Sequence, residues 1–192
     1  RDLTLQHIDG NEVLKTVRLG IECGRLPEDT GNDIPDILEK FGLLKNGVPN
    51  HAAAVLFGRH ENMEYPQCLL RLARFKGTDK TVFMDSQRLH GNFFQLLNAA
   101  MAFIFKHLSL SGTTDTLERE EHLTIPYKAI REGVLNALTH RSYRDAGGSV
   151  GIAIYDDRVE IENPGTFPHD WNLDKIKSDH ESKPQNPMIA NV

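Results

Sequence analysis

The sequence has few of the residues that build disulfide or metal frameworks. Its two cysteines, Cys23 and Cys68, are far apart and show no Cys-x-x-Cys spacing. Its nine histidines show no zinc-like spacing either. We therefore expect neither a disulfide scaffold nor a structural zinc site. We expect both cysteines to be reduced thiols in the core of a cytoplasmic protein.

Long apolar runs, excess positive charge and a phosphate-binding loop are also missing. No apolar run reaches the roughly 18 residues that span a bilayer, so no membrane partner is expected. The nearest, residues 96–105, suits a core helix. The net charge is −5, which gives no overall attraction for nucleic acid, although a local basic patch stays open. The absence of Gly-x-x-x-x-Gly-Lys-Ser/Thr excludes a P-loop helicase motor.

The composition present is typical of a globular protein. With 192 residues, 39% of them hydrophobic, the chain has room for one large domain or two small ones. Apolar periodicity, with glycine and Asn-Gly signals between segments, predicts most elements of the first part. These are helices over 9–24, 34–41 and 90–107, a turn at 46–47, strands over 67–75 and 79–85, and a linker over 110–116.

The most informative stretch is residues 131–143, which the sequence predicts to be helical. Glu132, Asn136 and His140 recur every four residues and therefore form one polar stripe on a helix face. An Asn oxygen can bind magnesium, and a Glu one turn earlier can orient or deprotonate an attacking water. The alternative is that this stripe simply faces solvent, as polar pairs on surface helices commonly do.

A β-hairpin is predicted directly after this helix. Residues 149–155 and 158–162 have strand patterns on either side of the tight turn at 156–157. The second strand is closed by Asn163, Pro164 and Gly165. The local order is thus a helix, a hairpin and a glycine turn that begins with a carboxamide.

These two motifs resemble the GHKL (Bergerat-type) ATP-binding fold of DNA gyrase B subunits, MutL proteins and histidine kinases. The helix resembles its N box, Glu-x-x-x-Asn-Ala, and residues 163–165 stand in the place of its Asp-x-Gly box. The closer resemblance is to the RecG-related, or Schlafen/AlbA-type, transcriptional regulators of bacteria. Those proteins carry Arg-Glu-x-hydrophobic-x-Asn-Ala-x-x-His-Arg-x-Tyr and then Glu-Asn-Pro-Gly, here residues 131–143 and 162–165. Residues 40–58 resemble the segment that precedes the GHKL-like part.

The resemblance implies an α+β chain in two parts. Residues 1–112 would form an α/β region that links an AlbA-like domain to the GHKL-like part. Residues 113–192 would form an incomplete GHKL (Bergerat-type) α/β sandwich. The chain starts at Arg1 and ends where a helix begins at Asn186-Pro187, so we expect a fragment of a longer protein.

The resemblance also implies roles for particular residues. Glu132 would be the catalytic base of a GHKL-type ATPase, and Asn136 would hold magnesium against the phosphates of ATP. Asn163, with Gly165, would contact adenine, where a neutral amide replaces the usual carboxylate. His140 and Arg141 could reach a phosphate, although His140 is also well placed to cap the helix end.

The resemblance leaves a second function open. The second glycine-rich box and the lid of the broader fold are not visible by Val192, so weak or no nucleotide binding is expected of this chain. The alternative function is a degenerate GHKL-like scaffold that forms a homodimer or docks a partner without catalysis. Relatives of this type bind DNA through an AlbA-like domain and a winged helix, neither of which is present in this sequence.

Overall fold

The chain forms a mixed α+β fold. The computed structural model describes residues 3–59, 65–108, 110–113, 120–123, 125–166, 171, 174, 178 and 183–192. Two short 3₁₀ turns lie at Leu5–His7 and Glu28–Thr30. The other elements, in chain order, are α1 (Gly10–Glu22), α2 (Ile34–Lys40), β1 (Leu44–Lys45), β2 (Val48–Pro49), α3 (His51–Phe57), β3 (Leu69–Phe75), β4 (Phe83–His90), α4 (Phe93–His107), β5 (Leu110–Thr113), β6 (Glu120–Leu123), α5 (Tyr127–His140), β7 (Val150–Ile154), β8 (Val159–Glu162) and α6 (Pro187–Ala190).

The first two helices, predicted over 9–24 and 34–41, span Gly10–Glu22 and Ile34–Lys40. The Asp9 carboxylate accepts hydrogen bonds from the backbone N–H groups of Asn11 and Glu12 and so caps α1. Asp33 caps α2 in the same way. The predicted turn at 46–47 is confirmed, because positive φ values at both residues join β1 to β2.

The main sheet has four strands in the order β4-β3-β7-β8. Strands β3 and β7 are parallel, whereas the two outer pairs are antiparallel. Leu70 lies opposite Val150, and Leu72 lies opposite Ile152. This pairing runs across the predicted domain division at residue 112, which stays a prediction.

One face of the sheet is buried under two helices. Helix α4 packs on β3 and β7, and α5 packs on α4 and β8. Leu70, Leu72, Val150, Ile152 and Ile154 are buried beneath them. The alternation of buried and more exposed residues along β3 and β7 leaves the opposite face of the sheet uncovered by the described residues.

Two boundaries predicted from the sequence are wrong. The second strand was expected over 79–85 but spans Phe83–His90, paired along its length with β3. The following helix was expected from His90 but begins at Phe93, because Asn92 and Gln95 form a reciprocal capping box. Pairing with a neighbouring strand therefore determines the conformation of residues 86–90.

The linker predicted over 110–116 is also wrong where the structure describes it. Residues 110–113 form β5, which pairs with β6 in a separate two-stranded sheet. The sequence also predicts a short strand over 123–125, and the strand found there lies slightly earlier, at Glu120–Leu123. The sequence further predicts a short helix over 171–177 and a polar stretch over 178–185 that would begin the lid. Both lie partly outside the described residues.

The predicted environments of the two cysteines are only half correct. Cys68 is buried, as expected, but Cys23 is exposed at the end of α1. Among the described residues, no helix has the length and apolar character needed to cross a membrane.

Candidate functional site

Helix α5 carries the predicted polar stripe. The helix spans Tyr127–His140, and its buried residues Ile130, Val134, Ala137 and Leu138 fix one side against the core. Glu132 and Asn136 lie on the exposed side, and His140 is half-buried at the end. With a rise of about 1.5 Å per residue, the stripe extends over about 12 Å.

Glu132 and Asn136 are joined by a hydrogen bond. Nδ2 of Asn136 donates to Oε1 of Glu132 over 3.1 Å. An ionised carboxylate only accepts hydrogen bonds, so the Asn136 amide must use its nitrogen here, and its oxygen Oδ1 is not involved in this bond. That oxygen, together with the second carboxylate oxygen of Glu132, is a donor set suited to magnesium, a hard cation.

Helix α5 lies close against strand β8. A Cβ atom placed on Gly133 would come within 3.1 Å of Cδ1 of Ile161, which is tighter than usual packing. Glycine at this position therefore permits the close approach of the helix to the strand. As a result, the stripe on α5 lies near the strand that leads into residues 163–165.

The Asn163-Pro164-Gly165 turn packs on the C-terminal end of α5. The backbone N–H of Ser142 donates to the carbonyl of Pro164 over 3.0 Å. A Cβ on Gly165 would lie 2.5 Å from the carbonyl oxygen of His140 and 2.7 Å from Nδ2 of Asn163. The turn thus needs glycine at 165. It brings His140, Asn163 and Gly165 together, about two helical turns from Glu132.

Asn186 holds this end of α5, a role that the sequence did not reveal. Its Nδ2 donates to the carbonyl oxygens of Thr139 over 2.7 Å and Arg141 over 2.9 Å. As predicted from the sequence, Asn186 precedes a helix, α6, but its side chain does not cap that helix. Instead it satisfies carbonyls that would otherwise lack partners at the end of α5. No local pattern signals a contact across 45 residues of chain.

Arg141 is buried and has a structural role in this conformation. It is 1% exposed, and its Nη2 donates to the backbone carbonyls of Asp145 and Gly148. The guanidinium also lies 5.1 Å from the centre of the Tyr143 ring. These contacts hold the loop between α5 and β7. The phosphate contact expected of Arg141 therefore has no support from this geometry.

The neighbours of Arg141 are buried ionisable groups. Burial raises the pKa of the Cys68 thiol to about 12, although the nearby Arg141 charge opposes the shift. Burial likewise raises the pKa of Tyr143, whose hydroxyl donates to the Leu138 carbonyl. Burial also lowers the pKa of Arg141 itself. The thiol and the phenol are thus kept neutral around one buried cation.

One family model matches part of the chain. Residues 147–192 match an HATPase-type family model described as "Putative ATP-dependent DNA helicase recG C-terminal". This part of the chain is therefore similar to a RecG-related, ATPase-like region. The match begins after α5, so it includes Asn163 and Gly165 but neither Glu132 nor Asn136. No curated protein matches the chain significantly.

A solved structure has the same fold. The DIP2311 protein from Corynebacterium diphtheriae superposes with a TM-score of 0.75 over 98% of this chain, at 15% sequence identity. At that identity the likeness concerns the fold alone. This chain spans 36% of the length of the DIP2311 chain.

Proposed function

We propose that this chain is an ATP-binding module, with α5 and the 163–165 turn as its nucleotide site. The observation that carries the proposal is the pairing of a hydrogen-bonded Glu132–Asn136 stripe with a glycine turn packed on the same helix. The ATPase-like family match to residues 147–192 supports it independently. The two motifs are separated by a hairpin in sequence, and α5 lies beside the strand that leads into the turn.

Magnesium would be held by Asn136 and by the phosphates of the nucleotide. Magnesium typically keeps several waters and takes only one or two protein ligands beside phosphate oxygens. In the described part of the chain, no group of three His, Cys, Asp or Glu side chains could hold a metal ion alone. The amide oxygen of Asn136, next to the Glu132 carboxylate, is consistent with a magnesium ion that binds together with its nucleotide.

Glu132 would be the general base if ATP is hydrolysed. Its second carboxylate oxygen is not used in the hydrogen bond to Asn136 and could accept a proton from water. Asn163 would accept a hydrogen bond from the adenine amino group through its amide oxygen, without the added strength of a charged acceptor. His140 lies at the Asn163 end of the site, about two helical turns from Glu132.

A turnover assay with a matched binding assay tests the catalytic role. The Glu132→Ala variant should lose ATP hydrolysis while it retains binding of radiolabelled ATP, because the carboxylate acts on water rather than on the nucleotide. Lys128→Ala, an exposed change one turn earlier on α5, is the control and should retain both. Equal turnover in wild type and Glu132→Ala would exclude this role for Glu132.

A scaffold without catalysis is the second candidate function. The buried Arg141, which donates to two backbone carbonyls, favours it, since one expected phosphate ligand is turned into the core. The neutral Asn163 in place of a carboxylate favours it as well. The scaffold predicts no nucleotide binding by wild type even at millimolar ATP with magnesium.

The role of the longer protein follows from the resemblance of the motifs. We propose a bacterial transcriptional regulator in the cytoplasm that binds DNA through domains outside this chain. The net charge of −5 gives this chain no general attraction for DNA. Retardation of duplex DNA by this chain alone at moderate salt would contradict the proposal that DNA is bound through domains outside it.

A further inference from the structure

Positive and negative charges lie at opposite edges of the uncovered face of the four-stranded sheet. Arg88 lies opposite Arg71, Arg71 lies opposite Gly151, and Gly151 lies opposite Glu162. Directly paired residues project on the same side of a sheet. One row across the sheet therefore reads Arg88, Arg71, Gly151 and Glu162, with positive charge at one edge and negative charge at the other.

The two arginines of this row lack acidic partners among the described residues. Both are exposed, and like charges at opposed positions on neighbouring strands repel each other. The only ion pair that Glu162 makes within the described chain is a long one, 3.9 Å to Nζ of Lys80, and its side chain stays 69% exposed. This arrangement favours contact with a surface that presents a carboxylate to the arginines and a cation to Glu162.

The middle of the same face is lined by small residues. Ala73 and Ala153 face each other in the next row, beside Gly151. These positions contribute to a groove of about 340 Å³ that also reaches Phe75 and Phe83. Phe83 is 62% exposed at the edge strand. Small central residues allow a second backbone to approach to the roughly 10 Å that separates packed sheets.

We propose that this face binds a second copy of the chain, sheet on sheet, about a twofold axis parallel to the strands. This axis stacks the row of one copy on the row of the other in reversed order. Arg88 therefore lies opposite Glu162 of the second copy, and Glu162 lies opposite its Arg88. Arg71 then lies opposite Gly151 of the second copy. An isologous interface of this kind repeats each contact twice.

Charge complementarity distinguishes a second copy from nucleic acid. A phosphate backbone would be attracted by the cations of the groove, Arg71, Arg88 and Lys80, but repelled by Glu162, which lines the same groove. A second copy instead places a carboxylate opposite each edge arginine and an arginine opposite each edge carboxylate. The Glu132–Asn136 stripe lies on α5, the helix that covers the other side of the sheet, so this association does not require nucleotide.

A charge-swap cycle tests the proposal by sedimentation equilibrium of the nucleotide-free chain. Wild type should form a dimer, and both Arg88→Glu and Glu162→Arg should raise its Kd by about tenfold or more, since each places like charges at two symmetric contacts. The double variant Arg88→Glu/Glu162→Arg should return to within about threefold of wild type, because both contacts are restored with reversed polarity.

Matched controls separate this face from general charge effects. Lys45→Glu and Glu39→Arg make the same changes of charge at exposed positions away from the sheet and should leave the Kd unchanged. Circular dichroism and thermal melting of each variant establish that it is folded. If the wild-type chain stays monomeric at about 100 μM, its dimer Kd is too weak for a specific interface, and the proposal is overturned. A dimer whose Kd is not restored in the double variant overturns it as well.

Discussion

Replacing Asn186 tests how the end of α5 is held. Asn186→Ala removes two hydrogen bonds, to the carbonyls of Thr139 and Arg141. A hydrogen bond of this kind contributes about 0.5–1.5 kcal/mol net, so the free energy of unfolding should fall by about 2 kcal/mol. In a chain of this length, that loss corresponds to a fall in Tm of about 6 °C.

An isosteric change at the same position sharpens the test. Asn186→Asp keeps the shape but replaces the amide donor with a carboxylate beside two carbonyl oxygens at a helix C-terminus, where negative charge is unfavourable. It should destabilise the chain more than Asn186→Ala does, most clearly above pH 5, where the new carboxyl is ionised.

Chemical denaturation followed by circular dichroism measures both variants. The control is Asn191→Ala, an exposed asparagine after α6, which should change stability by less than about 0.5 kcal/mol. If Asn186→Asp were as stable as wild type, the C-terminal segment would not be anchored on α5 by this amide, and the assembly of the site end would need another explanation.

Three further results are expected from the structure. Gly165→Ala should destabilise the fold by about 1–3 kcal/mol, because its Cβ would lie 2.5 Å from a backbone oxygen at the end of α5, as denaturant titration can measure. Titration with a thiol reagent near pH 8 should modify Cys23 at once and Cys68 only on unfolding, since Cys68 is buried and burial raises its pKa to about 12; two equally fast thiols would contradict this. Asp156→Asn should reduce the loss of stability on acidification below about pH 4, because hydrogen bonds from Arg74 and a backbone amide lower the pKa of the Asp156 carboxyl in the folded state. The stabilisation from this carboxyl is present above its unfolded pKa of about 3.9 and disappears as the pH falls through the folded value, so an unchanged pH profile would argue against this contact.

Elements with local signals could be predicted from the sequence. Asn46-Gly47 marks the turn of the small hairpin, because turn geometry depends on a few neighbouring residues. The first two helices were predicted from apolar periodicity to within one or two residues of their bounds. The helix that carries Glu132 and the hairpin that follows it were also predicted correctly, because apolar residues repeat every 3.6 residues in a helix and every two residues in a strand.

Elements that depend on distant partners could not be predicted in this way. Residues 86–90 are mostly polar and lack a strong strand pattern, but their pairing with β3 makes them extended. Residues 110–113 have the composition of a linker, although pairing with residues 120–123 makes them a strand. In both cases the hydrogen-bonded neighbour determines the conformation more than the local propensity does.

The candidate site was predicted in outline only. The positions of Glu132 and Asn136 on one exposed helix face follow from their spacing, and the contact of Gly165 with the helix end is consistent with the order of the two motifs. Burial of Arg141 was not expected, because an arginine next to a polar stripe is usually exposed. The role of Asn186 depends on a tertiary contact that sequence spacing does not encode.

A thermal-shift titration with ATP, with and without magnesium, measures nucleotide binding by this chain. With a Kd near 1 mM, ATP at about 10 mM would stabilise the folded chain by about 1.4 kcal/mol and raise its Tm by about 3–6 °C. This shift should require magnesium, should be lost in Asn136→Ala and should be retained in the control Lys128→Ala. No magnesium-dependent shift in wild type, or an equal shift in Asn136→Ala, would contradict a nucleotide site on α5.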